Sequence, residues 1–206
     1  MTIQAVIFDI GNVLIEWQPE RFYDTVMPAS ERAALFAEVD LHAMNDAIDR
    51  GAPFRATVYD WAGRYPKWAD PIRLWHDNWF DIASPVIDHS VRLLRALRRN
   101  GIPVFALTNF GDETFAHAAP HYDFLAEFDR FYISGRLKVA KPDPRIYEIV
   151  ENDSGIAPHS LLFTDDRAEN IAVARARGWQ VHPFEGATGL AARLVAEGLL
   201  NREDAG

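Results

Sequence analysis

The sequence predicts an α/β protein: an open, mostly parallel sheet flanked by helices, with a helical bundle inserted after the first strand. Three observations predict it. Short apolar runs recur at residues 5–8, 102–107, 131–133, 161–163 and 179–182, as strands buried on both faces require. From the second run onward, amphipathic stretches separate them, which is the pattern of right-handed crossovers between parallel strands. Between Pro19 and Pro85 the β-branched residues thin out and apolar residues fall at helical spacing.

Each element follows from local chemistry. The first strand, Ala5-Val6-Ile7-Phe8, ends on Asp9, and Gly11-Asn12 then turn the chain where left-handed backbone is cheap. Ser30-Glu31-Arg32-Ala33 opens a helix with Ser30 as its N-cap. Phe54, Val58, Trp61 and Tyr65 share a helical face, as do Ile72, Trp75 and Trp79; Gly51-Ala52-Pro53 and Tyr65-Pro66 are turns between them. The bundle's edges fall near Glu16 and Ala83, dividing the chain into an α/β core of residues 1–15 and 84–206 and a helical unit of residues 16–83.

The α/β pattern then resumes with an amphipathic helix over 91–99 that is capped by Asn100-Gly101. The second strand runs from 102 to 107 into Thr108-Asn109, and a helix over 113–119 follows. After the short third strand, Lys141-Pro142-Asp143-Pro144 makes a rigid turn with Pro144 near the first helical position. Strand four, Leu161-Leu162-Phe163, ends in Thr164-Asp165-Asp166; a helix over 171–177 closes on Gly178. Strand five at 179–182 and a helix over 190–200 complete a Rossmann-like arrangement, and residues 201–206 are expected to fray.

Composition narrows the function. A chain of 206 residues, 49% hydrophobic and 25% charged, is that of a soluble globular protein. With no cysteine, disulfides, thiolate nucleophiles and Cys-ligated metals are excluded. A net charge of −9 with scattered Lys and Arg disfavours nucleic acid. No apolar stretch approaches a membrane span, and an Asp at residue 9 leaves no room for a secretory h-region. The expectation is a cytoplasmic protein acting on a small molecule, of undetermined oligomeric state.

Four strand ends carry Asp9, Thr108, Lys141 (across a loop) and Asp165-Asp166. The C-terminal ends of parallel strands share one edge of the sheet, where open α/β sheets bind ligands. These residues suit transfer through an aspartyl ester. Asp9 is the candidate nucleophile, and Lys141 neutralises it and an incoming anion. Thr108 and the amides of the Gly11-Asn12 turn hold phosphate oxygens. Asp9, Asp165 and Asp166 hold Mg²⁺, a hard ion suited to carboxylates and phosphate.

The segments Phe8-Asp9-Ile10-Gly11-Asn12-Val13, Leu107-Thr108-Asn109, Lys141-Pro142-Asp143-Pro144-Arg145-Ile146-Tyr147 and Phe163-Thr164-Asp165-Asp166-Arg167-Ala168-Glu169-Asn170 together resemble the haloacid dehalogenase superfamily. The likeness is to its phosphatase branch, with a helical cap inserted after the first motif. It implies catalytic roles for Asp9, Thr108 and Lys141, and substrate contacts by Gly11, Asn12, Thr108, Asn109 and the cap residue Arg50. It also implies a metal held by Asp9, the Gly11 carbonyl, Asp166 directly and Asp165 as its partner. Phosphatases of this branch carry a second Asp two residues after the nucleophile as general acid; here that position is Gly11. A similar Gly-Asn motif occurs in some sugar-phosphate phosphatases, and His42 and Asp46 are candidate replacements for the acid.

Three functions compete. The first is a Mg²⁺-dependent phosphatase for a small phosphomonoester such as a sugar phosphate. The second is a metal-free 2-haloacid dehalogenase using Asp9; it needs no general acid, but it places an anionic substrate beside Asp165-Asp166, which repel it. The third is a silent phosphate-binding protein. Trp61, Trp68, Trp75 and Trp79 read as bundle core rather than as a substrate platform, Asn170 as a cap residue, and residues 16–18 and 46–51 as loops that set specificity.

Overall fold

The computed structural model describes residues 2–206. Five strands, β1 (Ala5–Phe8), β2 (Val104–Thr108), β3 (Arg130–Ile133), β4 (Leu161–Asp165) and β5 (Gln180–Pro183), form a sheet of order β3-β2-β1-β4-β5, with every pairing parallel. β1 is central: Phe8 is in register with Ala106 on one side and Thr164 on the other. Its side chains alternate between two apolar layers. Ala5 and Ile7 join Phe105, Leu107, Tyr147 and Phe163, whereas Val6 and Phe8 join Leu94, Val104, Ala106 and Leu162.

Helices cover both faces. On one side lie α10 (Pro144–Ser154) and α11 (Ala168–Ala176), contributing Ile146, Tyr147, Val150, Ile171 and Ala174. On the other lie α7 (Asp88–Arg99) and α12 (Ala187–Ala196), contributing Leu93, Leu94, Leu97, Leu190 and Leu194. In α7 the apolar positions are buried while Arg92, Arg98 and Arg99 stay exposed, and Gly101 at φ +73° ends the helix. The turn before α10 forms as its composition dictates. Asp143 caps the helix by accepting from the Arg145 N–H at 2.9 Å, Pro144 occupies the first turn and Gly155 closes it at φ +66°.

Between β1 and α7 the chain forms six helices: α1 (Pro19–Val26), α2 (Ala29–Glu38), α3 (Leu41–Asp49), α4 (Phe54–Arg64), α5 (Ala69–Asp77) and α6 (Trp79–Ile82). Their buried residues, Tyr23, Leu35, Met44, Val58, Ile72 and Trp75 among them, belong to the same apolar cluster as Val6 and Phe8. Of the tryptophans expected in this core, Trp68, Trp75 and Trp79 are buried, and Trp61 is half-buried.

Several boundaries differ from expectation. The second helix begins at Ala29 after Pro28, so Ser30 stands inside its first turn and makes no cap bond. β2 begins at Val104, because Pro103 has no N–H to give the ladder. α12 ends at Ala196, and Gly198 adopts φ +72° just beyond it. The tail docks instead of fraying: Ala205 is buried and its carbonyl accepts from His89 Nε2 at 2.9 Å. Among the described residues, no helix is long and apolar enough to cross a membrane.

Two further short helices, α8 (Asp112–Ala118) and α9 (Ser134–Leu137), follow β2 and β3 and pack against each other. A Cβ on Gly135 would lie 2.5 Å from the Asp112 nitrogen and 2.9 Å from the Gly111 carbonyl carbon, and backbone cannot yield as a flexible side chain does. Gly135→Ala is therefore expected to destabilise the protein by about 1–3 kcal/mol, read from the urea midpoint; an unchanged midpoint would contradict this packing.

Candidate active site

The strand order β2-β1-β4 brings three C-terminal ends to one edge. Asp9 follows β1, Thr108 ends β2, Asp165 ends β4 and Asp166 follows it. Lys141 reaches them across the loop after α9 and becomes the hub. Its Nζ donates to Asp165 Oδ2 at 2.7 Å and Leu107 O at 2.8 Å, and lies 2.9 Å from Asp9 Oδ1. Those three contacts match its three protons. Its backbone is clamped by the Asn109 amide, which accepts from the Lys141 N–H at 2.8 Å and donates to the Lys141 carbonyl at 2.9 Å.

Asp165 is wholly buried and both its oxygens are engaged. Oδ1 accepts from the Arg167 N–H at 2.8 Å and from Asn170 Nδ2 at 3.0 Å; Oδ2 accepts from Asn170 at 3.0 Å and from Lys141. It orients Lys141 and has no free oxygen. Asp166 is exposed, and only its Oδ2 accepts a side-chain bond, from Asn12 Nδ2 at 3.1 Å. Asn12 adopts left-handed backbone at φ +55°, which Asn tolerates. This turn aims its side chain at Asp166 while Asn12 Oδ1 takes the Trp17 N–H at 2.9 Å.

The donor set fits a hard divalent cation. Carboxylate oxygens of Asp9, Asp165 and Asp166 lie within 4.8 Å of one another. Asp9 and Asp166 keep oxygens free for a cation, Asp165 engages its own with Lys141, Asn170 and the Arg167 N–H, and one ammonium serves the whole group. The imbalance shows in the titration. Burial pushes the Asp9 carboxyl up to about 7; Lys141 opposes this and Asp165 adds to it. Asp166 is raised as well, because desolvation outweighs the Asn12 hydrogen bond. Burial works to strip Lys141 of its proton, but Asp165 and Asp9 hold it above its ordinary value.

A cavity of about 380 Å³ opens over Asp9, Lys141 and Asp166, and helices α1, α3 and α6 form its far wall. Gly11, Asn12, Asn109 and Asn170 line it, as do His42 and Asp46 from α3. Four expectations need correction. Arg50 does not line the cavity: it follows Asp49 around the helix and sits near Asp143, outside the stripe that faces inward. The Asn12 N–H is engaged, donating to Ile15 O at 2.7 Å to close its own turn. Asn109 lines the cavity, but both ends of its amide serve Lys141. Thr108 is buried beneath the cavity floor rather than lining it.

Asn45 and Thr114 line the cavity without having been singled out in sequence, while Trp17 and Asp49 fall within the spans 16–18 and 46–51 expected to set specificity, although residues 46–49 are the end of α3 rather than a loop. A helical signal for Asn45 and Asp49 was present. His42, Asn45, Asp46 and Asp49 fall at i, i+3, i+4 and i+7, one polar stripe of α3, while Leu41, Met44 and Ile48 bury the other. Trp79 is both core and wall, its ring 6.1 Å from that of Trp17.

Comparison with known proteins gives a consistent result. The family model for haloacid dehalogenase-like hydrolases matches residues 3–178. D-ribitol-5-phosphate phosphatase of Bacteroides thetaiotaomicron is 22% identical over 90% of this chain and 94% of that protein. Haloacetate dehalogenase H-2 of Moraxella sp. is 32% identical, over 43% of this chain and 39% of that protein. The structure is similar to a family enzyme of Bacteroides thetaiotaomicron crystallised with magnesium and inorganic phosphate, with TM-score 0.66 and 22% identity, covering 89% of this chain and 95% of that one.

The raised Asp9 carboxyl has a thermodynamic consequence. Its folded-state value of about 7 exceeds the ordinary 3.8, so the folded protein binds this proton more tightly than the unfolded chain. That contribution to stability is complete below pH 3.8 and lost as pH rises through about 7. In EDTA, the melting temperature is expected to fall between pH 5 and pH 8, with a shallower fall in Asp9→Asn; equal slopes in calorimetry would refute the assignment.

Proposed function

The chain belongs to the haloacid dehalogenase-like hydrolase family, and within it we propose a Mg²⁺-dependent phosphatase that cleaves a small phosphomonoester, such as a sugar or polyol phosphate, through an aspartyl-phosphate on Asp9. One observation carries this reading: three carboxylates gather within 4.8 Å of one another at the floor of the cavity, and the single ammonium there pairs with only two of them. Asp9, Asp166 and the Gly11 carbonyl would hold the ion, and Asp165 would keep Lys141 in place. Bound there, Mg²⁺ supplies Lewis-acid neutralisation of phosphate charge. A metal-free site of this charge would repel a 2-haloacid, which brings another carboxylate.

The residues divide the remaining work. Lys141 holds Asp9 Oδ1 at 2.9 Å, which fixes the carboxylate's orientation for attack by its other oxygen on phosphorus. Asn109 keeps Lys141 from drifting by gripping its backbone. Residues 16–83 act as a cap over the core of residues 1–15 and 84–206: Trp17, Pro19, Glu20 and α3 close the cavity from above. That shelter excludes bulk water and strengthens every charge interaction inside. The relative that hydrolyses ribitol 5-phosphate spans nearly the whole chain, which supports a polyhydroxylated substrate.

The identity to haloacetate dehalogenase over part of the chain favours one alternative, halide displacement by Asp9. The two separate cleanly by assay. With Mg²⁺, para-nitrophenyl phosphate is expected to release phosphate, EDTA to abolish release, and Asp9→Asn to lower kcat by roughly 10³–10⁶-fold. Halide release from chloroacetate in EDTA, with no phosphate release in Mg²⁺, would establish the dehalogenase instead.

A further inference from the structure

We propose that Asp49, on the last turn of α3, is the general acid of this reaction and delivers its proton to the leaving alcohol oxygen. The proposal rests on the phosphatase reading. Cleaving an alkyl phosphate expels an alkoxide, which is a poor leaving group unless a proton meets it. The core half of the site is otherwise committed: Asp166 would hold the metal, and the Thr114 hydroxyl and Arg167 guanidinium that also line the cavity are far too weak as acids. Lys141 has committed all three protons, Asn109 is engaged at both ends, and residue 11 is glycine. Asp9 is needed as an anion. The donor must therefore come from the facing helical layer.

Four titratable groups line the cavity from that layer: Glu20, His42, Asp46 and Asp49. Glu20 and His42 are paired with each other at 3.0 Å, with 44% and 58% of their side chains exposed, and Asp46 is exposed. Asp49 is half-buried and built into place. Its Oδ2 accepts from Asn45 Nδ2 at 2.8 Å, and Asn45 is itself oriented by Trp75 Nε1, which donates to Asn45 Oδ1 at 3.2 Å. Trp75 is wholly buried, so the chain of donors starts from a fixed point.

The backbone is fastened as well. Ser134 Oγ donates to Asp49 O at 2.5 Å and accepts from the Phe110 N–H at 2.9 Å, and Lys138 Nζ donates to Gly51 O at 3.1 Å. The end of α3 can lie this close because residue 111 is glycine: a Cβ there would meet Ile48 Cγ2 at 2.6 Å and Ile48 O at 3.0 Å. Asp49 thus belongs to the helical layer by sequence and to the edge of the core by contact.

Its protonation suits the role. Burial raises the Asp49 carboxyl well above the ordinary range; Asp46 and Asp9 add to this, and the Gly111 N–H and Lys141 oppose it. It keeps a proton at pH values where an exposed Asp has lost it. In the first half-reaction the Asp9 oxygen bonds to phosphorus and the bond from phosphorus to the alcohol oxygen breaks. Its electron pair goes to that oxygen, which takes the Asp49 proton and leaves as the alcohol. In the second, the Asp49 carboxylate takes a proton from the water that attacks phosphorus. Phosphate departs, the Asp9 carboxylate is restored and Asp49 is protonated again.

The test compares wild type, Asp49→Asn and Asp49→Glu in Mg²⁺ on para-nitrophenyl phosphate, phenyl phosphate and ribitol 5-phosphate. Asp49→Asn is expected to lose about 10²–10⁴-fold in kcat/KM, which reports the first half-reaction alone, on the alkyl ester and far less on the nitrophenyl ester, whose phenolate leaves without a proton. The plot of log kcat/KM against leaving-group pKa therefore steepens. Asp49→Glu, which keeps a carboxyl, is expected to regain part of the alkyl kcat/KM. An equal loss of kcat/KM on all three esters, no loss on the alkyl ester, or no recovery by Asp49→Glu would overturn the assignment while leaving the phosphatase reading standing. A wild type that releases phosphate from no ester overturns both.

Discussion

One buried ammonium organises the site. Lys141 Nζ joins the ends of three neighbouring strands: Asp9 after β1, the Leu107 carbonyl in β2 and Asp165 at the end of β4. A lysine can be this buried only if its charge and all its protons are matched. The match is geometric as much as electrostatic, since Asn109 grips its backbone and Asn170 braces Asp165. Removing one partner of such a group leaves uncompensated charge in the interior, on the order of 3–5 kcal/mol. Loop, strand ends and charge balance therefore stand together. The same matching leaves an excess of carboxylate at the cavity floor, which is what makes the site receptive to a cation.

The second constraint is the way the helical layer meets the sheet. The two share one apolar cluster, from Val6 and Phe8 through Tyr23 and Trp75, so the layer is anchored by burial at its base. At the cavity rim the links are polar: Ser134 to Asp49, Lys138 to Gly51, and the Phe54 N–H to Glu113 Oε2 at 2.7 Å. Any widening of the cavity at this end breaks those bonds and exchanges them for water, a far smaller loss than exposing the aromatic base. The site therefore combines a rigid floor with a wall that is joined to it by apolar burial at one end and by polar links at the other.

Much of this was legible in sequence because it is governed by local rules. The buried strands announce themselves as apolar runs, Asp143-Pro144 as a helix start, and Asn100-Gly101 as a helix end. Asp9, Lys141, Asp165 and Asp166 stood out because polar residues at the ends of parallel strands share one edge. The misreadings have equally local causes. Arg50 differs from Asp49 by one position on a helix, about 100° of rotation, and that decides whether it faces the cavity. The Asn12 amide was available until Ile15 O was seen to take it. Ser30 lost its capping role to a proline two residues earlier.

Asp49 shows where sequence reasoning stops. On an amphipathic helix, a carboxylate opposite Leu41, Met44 and Ile48 reads as part of a solvated face. The helix meets the core only because residue 111 is glycine, where a Cβ would collide with Ile48. Sequence alone determined the sheet, its helical insertion, and the acidic and basic residues at the strand ends, because periodicity and turn chemistry act over a few neighbours. Tertiary structure decided which hydrogen bonds those residues have left to offer and which surface closes over them, because burial and partner geometry belong to contacts between segments far apart in the chain.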